Sequence, residues 1–157
     1  MMEIERKFLL NPQYIEFIST LDVQSYNLAQ YYVKIGSEEE RYRSVDEKYF
    51  HTVKKSIDGG LTREEKEQPC LRDEYLLHQQ EMLGDVVEKT RKIYFSGNQK
   101  IEIDIYKGKL LGLIICEIEF GDAEEASAFT PLFFFGAEVT LDKRYKNQSL
   151  AINGIPK

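Results

Sequence analysis

The chain has 157 residues, of which 42% are hydrophobic and 31% charged. This composition predicts one globular domain over residues 1–157 and excludes a disordered or fibrous protein. A net charge of −6 argues against a nucleic-acid partner, because affinity for nucleic acid comes largely from neutralising backbone phosphates. The N-terminal segment mixes charged with apolar residues (MMEIERKFLL), so neither a signal peptide nor a membrane anchor is predicted, and we expect a cytoplasmic protein.

Eight short segments alternate between residue classes with a period of two, which predicts β-strands. They are Glu3–Leu9, Tyr26–Val33, Glu40–Ser44, Tyr49–Lys55, Thr62–Glu67, Val86–Phe95, Lys100–Tyr106 and Leu113–Phe120. Asp58-Gly59-Gly60 and Ser96-Gly97-Asn98 each join two of these segments and predict tight hairpin turns, because glycine accepts a positive φ. The strands are therefore expected to form an antiparallel meander, and closure into a barrel would remove its exposed edges.

Three further segments are predicted to form peripheral helices, which gives an α+β fold. Each has residues suited to a helix end: an N-cap before a proline, a glycine at the C-terminus, or a pair with capping-box spacing. The segments run from Asn11 to about Leu21, from Arg72 to Leu83 with Gly84 as the C-cap, and from Asp122 to Phe135 with a break at Pro131.

Charged side chains share one face of the predicted strands, because residues two apart project to the same side. The shared positions hold Glu3, Glu5 and Lys7; Arg41 and Arg43; Thr52 and Lys54; Arg63, Glu65 and Glu67; Lys89 and Arg91; Glu102 and Asp104; Glu117 and Glu119. The alternate positions of the last two strands are mostly aliphatic, among them Ile101, Ile103, Ile105 and Ile118.

A solvent-facing sheet surface explains any one of these strands, but the sorting of cations and carboxylates over many strands favours a functional cavity. Buried ions are unfavourable unless they pair, stay hydrated or bind ligands, so the charged face is predicted to line a wet interior. Arg and Lys suit the oxygens of a polyphosphate, while carboxylates suit Mg²⁺ or Mn²⁺, which bridge carboxylate to phosphate. The sequence thus predicts a cavity for a small-molecule triphosphate and a divalent metal.

The same residues resemble the CYTH, or triphosphate tunnel metalloenzyme, superfamily, whose N-terminal ExExK signature reads here Glu3-Ile4-Glu5-Arg6-Lys7. Further matching segments are Gln30-Tyr31-Tyr32, Arg41-Tyr42-Arg43, Thr52-Val53-Lys54, Arg63-Glu64-Glu65-Lys66-Glu67, Lys89-Thr90-Arg91, Glu102-Ile103-Asp104, Glu117-Ile118-Glu119, Glu138-Val139-Thr140 and Arg144-Tyr145-Lys146-Asn147. The resemblance implies an eight-stranded, closed antiparallel barrel with a charged interior and a final short helix.

The resemblance also implies roles for the charged residues. The phosphate-binding residues would be Lys7, Arg41, Arg43, Lys54, Arg63, Lys89, Arg91 and Arg144. The principal metal ligands would be Glu117 and Glu119, helped by Glu3, Glu5, Glu65, Glu67 and Asp104. The residues nearest the chemistry would be Glu3, Glu5, Lys7, Lys54 and Asp104, and no protein nucleophile is needed.

Three functions stay open at this point. A metal-dependent triphosphatase, acting on inorganic triphosphate or on a small organic triphosphate such as thiamine triphosphate, needs only the residues already named. A class IV adenylyl cyclase would also have to recognise adenine, and no residues for this are identified. A non-catalytic polyphosphate-binding module would gain little from the carboxylates. Hydrolysis is the favoured hypothesis, and the oligomeric state is left open.

The remaining candidates are predicted to be structural. His51 has the opposite parity to the charged face and is expected to point outward, and His78 lies on the second predicted helix. Tyr31 and Tyr32 are expected to be structural, and Phe133–Phe135 are expected to pack in the core rather than to form an interaction patch. The two cysteines, at positions 70 and 116, lack metal-ligand spacing and are predicted to be buried thiols.

Overall fold

The computed structural model describes residues 4–57 and 62–157, apart from the side chains of Ile57, Thr62 and Arg63. Glu3 and the hairpin turn predicted at Asp58-Gly59-Gly60 lie outside the described residues. The side chain of Arg63 lies outside them as well, so the phosphate-binding role predicted for it has no structural counterpart below.

Nine strands are described, and eight of them correspond to the eight alternating segments. They are β1 (Ile4–Leu10), β2 (Ser25–Lys34), β3 (Glu38–Val45), β4 (Lys48–Ile57), β5 (Thr62–Pro69), β6 (Leu83–Ser96), β7 (Gln99–Tyr106), β8 (Ile114–Phe120) and β9 (Phe135–Glu138). Gly97 has a φ of 60° in the turn between β6 and β7, as the predicted hairpin requires.

The strands form one antiparallel sheet in the order β5-β4-β3-β2-β6-β7-β8-β1-β9. The prediction of eight strands closed into a barrel is corrected here: β5 and β9 are the two edges, and within the described ranges they do not pair with each other. The reason is that β9 takes the outer edge of β1, where Phe8 pairs with Glu138 and Leu10 with Phe135.

Four short α-helices accompany the sheet: α1 (Ile15–Ser19), α2 (Arg72–His78), α3 (Ala123–Ala128) and α4 (Asn147–Asn153). The N-cap predicted at Asn11 is confirmed, because its side chain accepts a hydrogen bond from the Gln13 amide at the start of the turn before α1. In the part of the chain that the structure describes, no helix is long and apolar enough to cross a bilayer.

Two predicted helix ends are wrong. The second helix does not continue to Leu83, which already belongs to β6, and Gly84 is a strand residue with a φ of 69° rather than a C-cap. The third helix ends at Ala128, and the segment from Pro131 to Phe135 is not helical. Phe135 instead begins β9, because the free edge of β1 offers backbone partners and aromatic residues favour extended structure.

The hydrophobic core lies on the outer face of the sheet, as the alternating pattern predicted. Ile101, Ile103 and Ile118 are fully buried there and pack beneath α1, α3 and the aromatic residues before β9. Within that aromatic run Phe134 and Phe135 are buried, while Phe133 is exposed, so the prediction of core packing holds for two of the three residues.

The outer face also holds the residues that were predicted to be structural near α2. The His78 ring stacks on Tyr42 at a centroid distance of 5.0 Å, and the His51 ring contacts Tyr42 in a tilted arrangement at 4.6 Å, so the outward orientation of His51 is confirmed. Cys116 is a buried free thiol, as predicted, whereas Cys70 is only partly buried.

Replacing Ile103 with Ala should remove buried apolar surface and leave a cavity at the centre of the outer core. We expect the free energy of unfolding to fall by about 2–5 kcal/mol, measured by urea denaturation. Ile152→Ala is the matched control, because Ile152 is 49% exposed on α4 and its truncation should have a small effect. Equal losses for the two variants would contradict an outer-face core.

Candidate functional site

A cavity of about 280 Å³ lies on the inner face of the sheet. Its size is near the lower end of the roughly 300–1,000 Å³ typical of small-molecule pockets. Seven Lys or Arg residues and six Glu residues line it, so its charge is nearly balanced. The lining residues are Glu5, Lys7, Gln30, Tyr32, Glu39, Arg41, Arg43, Lys54, Glu65, Lys89, Arg91, Glu102, Glu117, Glu119, Lys146, Asn147 and Gln148.

Strand register brings the carboxylates of three strands together. Glu5 on β1 lies opposite Glu119 on β8, and Lys7 lies opposite Glu117. Glu117 also lies opposite Glu102 on β7. Residues directly opposite each other on neighbouring strands project to the same face, so these five side chains share the cavity.

A second group of charges comes from β3, β4 and β5. Lys54 lies between two carboxylate positions, since it pairs with Glu39 on β3 and with Glu65 on β5. Arg41 and Arg43 occupy the next two inward positions along β3. The inner face of β3 to β5 therefore mixes cations with carboxylates, whereas the inward positions Glu117 and Glu119 of β8 are both carboxylates.

Asp104 is the anchor of a buried ion cluster behind the cavity. Its Oδ2 lies 2.8 Å from Lys89 Nζ and 3.0 Å from Arg91 Nη2, and its Oδ1 accepts a 2.7 Å hydrogen bond from Arg91 Nε. The side chains of Lys89 and Asp104 are only 1% and 3% exposed. Both oxygens of Asp104 are thus occupied by cations, and the three residues form one preorganised unit.

Burial and pairing act in opposite directions on this cluster. Burial lowers the pKa of Lys89 to about 8, although Asp104 opposes the shift. Burial would raise the pKa of Asp104, but Lys89 and Arg91 outweigh it and hold that pKa well below its usual range. Burial likewise opposes charge on Arg91, yet its carboxylate partners raise its pKa. All three groups are therefore ionised at neutral pH.

Glu5 and Glu117 form a carboxylate pair beside Lys7. Burial raises the pKa of Glu117, but a hydrogen bond with Glu5 and the charge of Lys7 outweigh it and lower that pKa. Lys7 Nζ lies 3.6 Å from Glu5 Oε1 and 4.0 Å from Glu117 Oε2. Two carboxylates in contact need a proton or a cation between them, and an all-oxygen donor set suits a hard divalent ion.

Arg41 and Arg43 are the under-compensated cations of the cavity. The Nε–H group of each is buried and has no hydrogen-bond acceptor among residues 4–57 and 62–157. Burial and the neighbouring Arg41 lower the pKa of Arg43, and the contact with Glu67 at 3.1 Å opposes this only in part. An anion bound between these two guanidinium groups would supply the missing acceptors.

The structure brings most of the sequence-predicted site residues together. Those that line the cavity are Glu5, Lys7, Arg41, Arg43, Lys54, Glu65, Lys89, Arg91, Glu117 and Glu119. Asp104 lies directly behind them. Across the described residues, no three Asp, Glu, His or Cys side chains form a cluster with metal-site geometry, so the carboxylates are spread around the cavity wall rather than gathered at one point.

Two predicted residues do not reach the cavity. Glu67 turns to Arg43 and Thr52 and borders a neighbouring hollow instead. The side chain of Arg144 is 63% exposed and pairs with Asp142 at 2.7 Å on the surface. Arg144 therefore lies outside the cavity lining, and the phosphate-binding role predicted for it stays a prediction.

Sequence reasoning missed other lining residues, chiefly Lys146 and Tyr32. Lys146 belongs to the same motif as Arg144, but only the turn at Lys143–Tyr145 decides which of the two basic residues faces inward. Tyr32 was expected to be structural, yet it lines the cavity next to Gln30, whose amide donates to its hydroxyl oxygen at 2.8 Å. Tyr32 is two residues from Gln30 along β2, so the two side chains project to the same face of the strand. This spacing could have identified Tyr32 as a lining residue.

Comparison with known proteins shows similarity over the full length of the chain. An inorganic triphosphatase from Nitrosomonas europaea is 36% identical over 159 residues, which cover 98% of this chain and 99% of the relative. The crystal structure of an inorganic triphosphatase, 34% identical, has a TM-score of 0.71 and covers 100% of this chain and 98% of its own. No protein-family model matches the sequence.

More distant structures share the fold. A putative adenylate cyclase from Bacillus halodurans has a TM-score of 0.63 at 15% identity, covering 80% of this chain and 84% of its own. A putative adenylyl cyclase from Hippeastrum, reported to have a dominant triphosphatase activity, has a TM-score of 0.57 at 15% identity and covers 80% and 83%. At such low identity, these two likenesses concern the fold alone.

Replacing Asp104 with Asn should leave two buried cations without their anion. We expect the free energy of unfolding at neutral pH to fall by about 3–5 kcal/mol. Because folding lowers the pKa of Asp104, its contribution is complete above the unfolded pKa of about 4 and is lost as the pH falls below it. The difference between wild type and variant should therefore shrink in acid.

Urea denaturation at a series of pH values measures this difference. Asp142→Asn is the control, because Asp142 makes its ion pair with Arg144 at the surface and should matter little at any pH. A stability difference for Asp104→Asn that persists unchanged below pH 4 would contradict the ionised cluster.

Proposed function

The chain belongs to the CYTH, or triphosphate tunnel metalloenzyme, superfamily, and on this premise we propose that it hydrolyses inorganic triphosphate with the help of Mg²⁺ or Mn²⁺. The observation that carries the proposal is the combination of unsatisfied guanidinium donors and a carboxylate pair in one small cavity. The full-length relative is named for the same activity. The cytoplasmic location and the metal requirement stay predictions.

The cations would bind the phosphate chain from two sides. Arg41 and Arg43 offer buried N–H groups that need acceptors, and a guanidinium group binds phosphate oxygens in a planar, bidentate manner. On β6, which is separated from β3 by β2 alone, Lys89 and Arg91 are held in place by Asp104, so they need no rearrangement when an anion arrives. Cations that are already in position stabilise the transition state most strongly where negative charge develops during the reaction.

The carboxylates would hold the divalent ion. Glu5 and Glu117 are in contact, and Glu119 faces the same cavity from the next inward position of β8. Mg²⁺ is commonly held by one or two carboxylates together with substrate phosphates, so this set is sufficient as the protein's share. Held by these carboxylates, the ion would neutralise charge on phosphate oxygens and would help to orient the attacking water.

Hydrolysis needs no protein nucleophile. Water adds to a terminal phosphorus, the bridging P–O bond breaks, and pyrophosphate and phosphate leave. The transition state of phosphoryl transfer is loose and spreads charge over the phosphoryl oxygens, so catalysis rests on positioning and on nearby cations. Lys89 and Arg91 are suited to this role because Asp104 fixes both side chains before the substrate binds.

Adenylyl cyclase activity is the less favoured alternative. A cyclase must hold adenine and position the ribose, which calls for an apolar or aromatic surface beside the phosphate site. Among the described residues that line the cavity, Tyr32 is the single aromatic side chain, and its neighbours are charged or amide groups. This lining suits an inorganic phosphate chain better than a nucleotide or thiamine triphosphate.

An assay of the purified protein tests the activity and its substrate together. Phosphate and cyclic AMP release would be measured with inorganic triphosphate, thiamine triphosphate or ATP, each with Mg²⁺ or Mn²⁺ and with an EDTA control. We expect phosphate release from inorganic triphosphate that EDTA abolishes. Cyclic AMP with pyrophosphate would establish a cyclase instead, and tight binding without turnover would establish a binding module.

Glu117→Gln and Glu119→Gln should separate a catalytic protein from a binder. Loss of a carboxylate that holds the metal should lower kcat/KM by at least roughly 100-fold. Affinity for triphosphate in EDTA should be unchanged or higher, because a negative charge has left the cavity. Glu124→Gln, which changes an exposed residue of α3, is the control with the same chemical change. Full activity in both cavity variants would overturn the proposed metal ligands.

A further inference from the structure

A run of three glutamates opens β3, and its middle residue faces the cavity. Successive residues of a strand project to opposite faces, so Glu39 points inward and its two neighbours point outward. Glu38 borders a separate hollow on the outer face, and Glu40 Oε2 lies 3.3 Å from Nε2 of the outward His51. Glu39 lines the cavity and is 6% exposed. This carboxylate is therefore buried on the charged inner face of the sheet.

Cations lie next to Glu39 on β3 and on β4. Lys54 is directly opposite Glu39 in the β3–β4 register, and Arg41 follows two residues later on β3. Opposite residues project to one face, with their Cβ atoms about 4.5–5.5 Å apart. Burial raises the pKa of the nearby Tyr32 to about 12, while Arg41 opposes this shift and Glu39 adds to it. Glu39 thus has the cationic neighbours that a buried carboxylate requires.

Lys54 lies between two carboxylates that differ in burial. Its partner in the β4–β5 register is Glu65, which is exposed on a strand at the edge of the described sheet. Its partner in the β3–β4 register is the buried Glu39. Attraction between charges is screened by water and salt at an exposed site, and much less at a buried one. Glu39 is therefore the stronger electrostatic partner, and it draws Lys54 towards β3.

We propose that Glu39 is a positioning residue, which holds the Lys54 ammonium group in place for the phosphate chain and binds neither the substrate nor the metal itself. The inference rests on the proposed function. A lysine side chain has several rotatable bonds, and it loses this freedom when it binds a ligand. A lysine that is already held avoids much of that loss. Asp104 has the same effect on Lys89 and Arg91, and Glu39 extends the arrangement to β4.

The first test is a double-mutant cycle between Glu39 and Lys54, which measures whether the two side chains act together. Glu39→Gln should lower kcat/KM for inorganic triphosphate roughly tenfold, the scale of one charge-assisted contact. In the Lys54→Gln background the same substitution should cause no further loss, since the group that Glu39 holds is gone. Losses that multiply in the double variant would overturn the proposal.

The outward pair one residue along provides the matched control. Glu38 lies opposite Lys55 in the same register, 45% of its side chain is exposed, and it is outside the cavity lining. Glu38→Gln, Lys55→Gln and their double variant make the same chemical changes on the same two strands. We expect kcat/KM to stay within about twofold of wild type in all three. A tenfold loss in Glu38→Gln would show that the inward position is not what matters, and would overturn the proposal.

Three readouts separate positioning from a structural or a metal-binding role. In Glu39→Gln, kcat should fall while KM does not rise, because Lys54 is misplaced and a negative charge has left the cavity. Glu39→Asp keeps the charge and should recover part of kcat, and it takes the place of Glu39→Gln in the cycle if that variant does not fold. The Mg²⁺ concentration at half-maximal rate should match that of wild type. A weaker response to Mg²⁺, or a loss that equals the unfolded fraction found by urea denaturation, would contradict positioning.

The same cycle measured by binding distinguishes this inference from the proposed function. Tripolyphosphate would be titrated by calorimetry into wild type and the three variants in EDTA, so that no turnover occurs. Glu39→Gln should raise affinity in the Lys54→Gln background, where it removes repulsion alone, and should raise it less or lower it when Lys54 is present. Wild type that binds tripolyphosphate without hydrolysing it would defeat the proposed function, whereas hydrolysis with equal effects in both backgrounds would defeat this inference alone.

Discussion

The buried ion cluster of Lys89, Arg91 and Asp104 is the interaction on which the architecture depends. A sheet that turns its charged face inward must compensate each charge that it removes from water, because an unpaired buried ion is very costly. Asp104 meets this need for two cations at once, with both carboxylate oxygens engaged. Because the charges of this cluster are paired, the cost of burying them is offset. The Nε–H groups of Arg41 and Arg43 have no acceptor among the described residues, and a bound ligand could supply one.

The inward charge has a second consequence, which is that the hydrophobic core must form on the outer face. The short helices and the aromatic residues near β9 serve this purpose, because they cover the aliphatic positions of β1, β7 and β8. Arg6 illustrates how the cover is attached: its guanidinium donates to the carbonyl oxygens of Ala126 and Phe129 and pairs with Glu138. Stability and binding are therefore divided between the two faces of one sheet.

This division explains how much of the molecule the sequence could predict. The faces of β1 to β8 follow from a period of two, which is a local property, so the eight strands and most cavity residues could be found from the alternation. Closure of the sheet depends instead on which strand takes the free edge of β1. The apolar run that includes Phe135 does not reveal that pairing, and a short apolar run is equally compatible with a helix.

Two residues that the sequence misplaced, Arg144 and Gly84, have identifiable structural causes. Arg144 and Lys146 belong to one motif, and a single turn with its Asp142 ion pair determines which of them reaches the cavity. Gly84 resembles a helix C-cap in sequence because both roles require a positive φ, yet here the glycine makes room for α4. For Gly84 the deciding contact is with a distant segment, whereas for Arg144 it is an ion pair within one turn.

The sequence of β6 also limits what the cavity can hold. Its inward positions run from Val87 through Lys89 and Arg91 to Ile93, so only two consecutive inward positions are charged. Two residues along a strand span about 6.6 Å. Lys89 and Arg91 can therefore contact a short stretch of a phosphate chain. At the Val87 end of this band, α4 packs on apolar residues of the sheet, so the charged and the apolar parts of the inner face meet there.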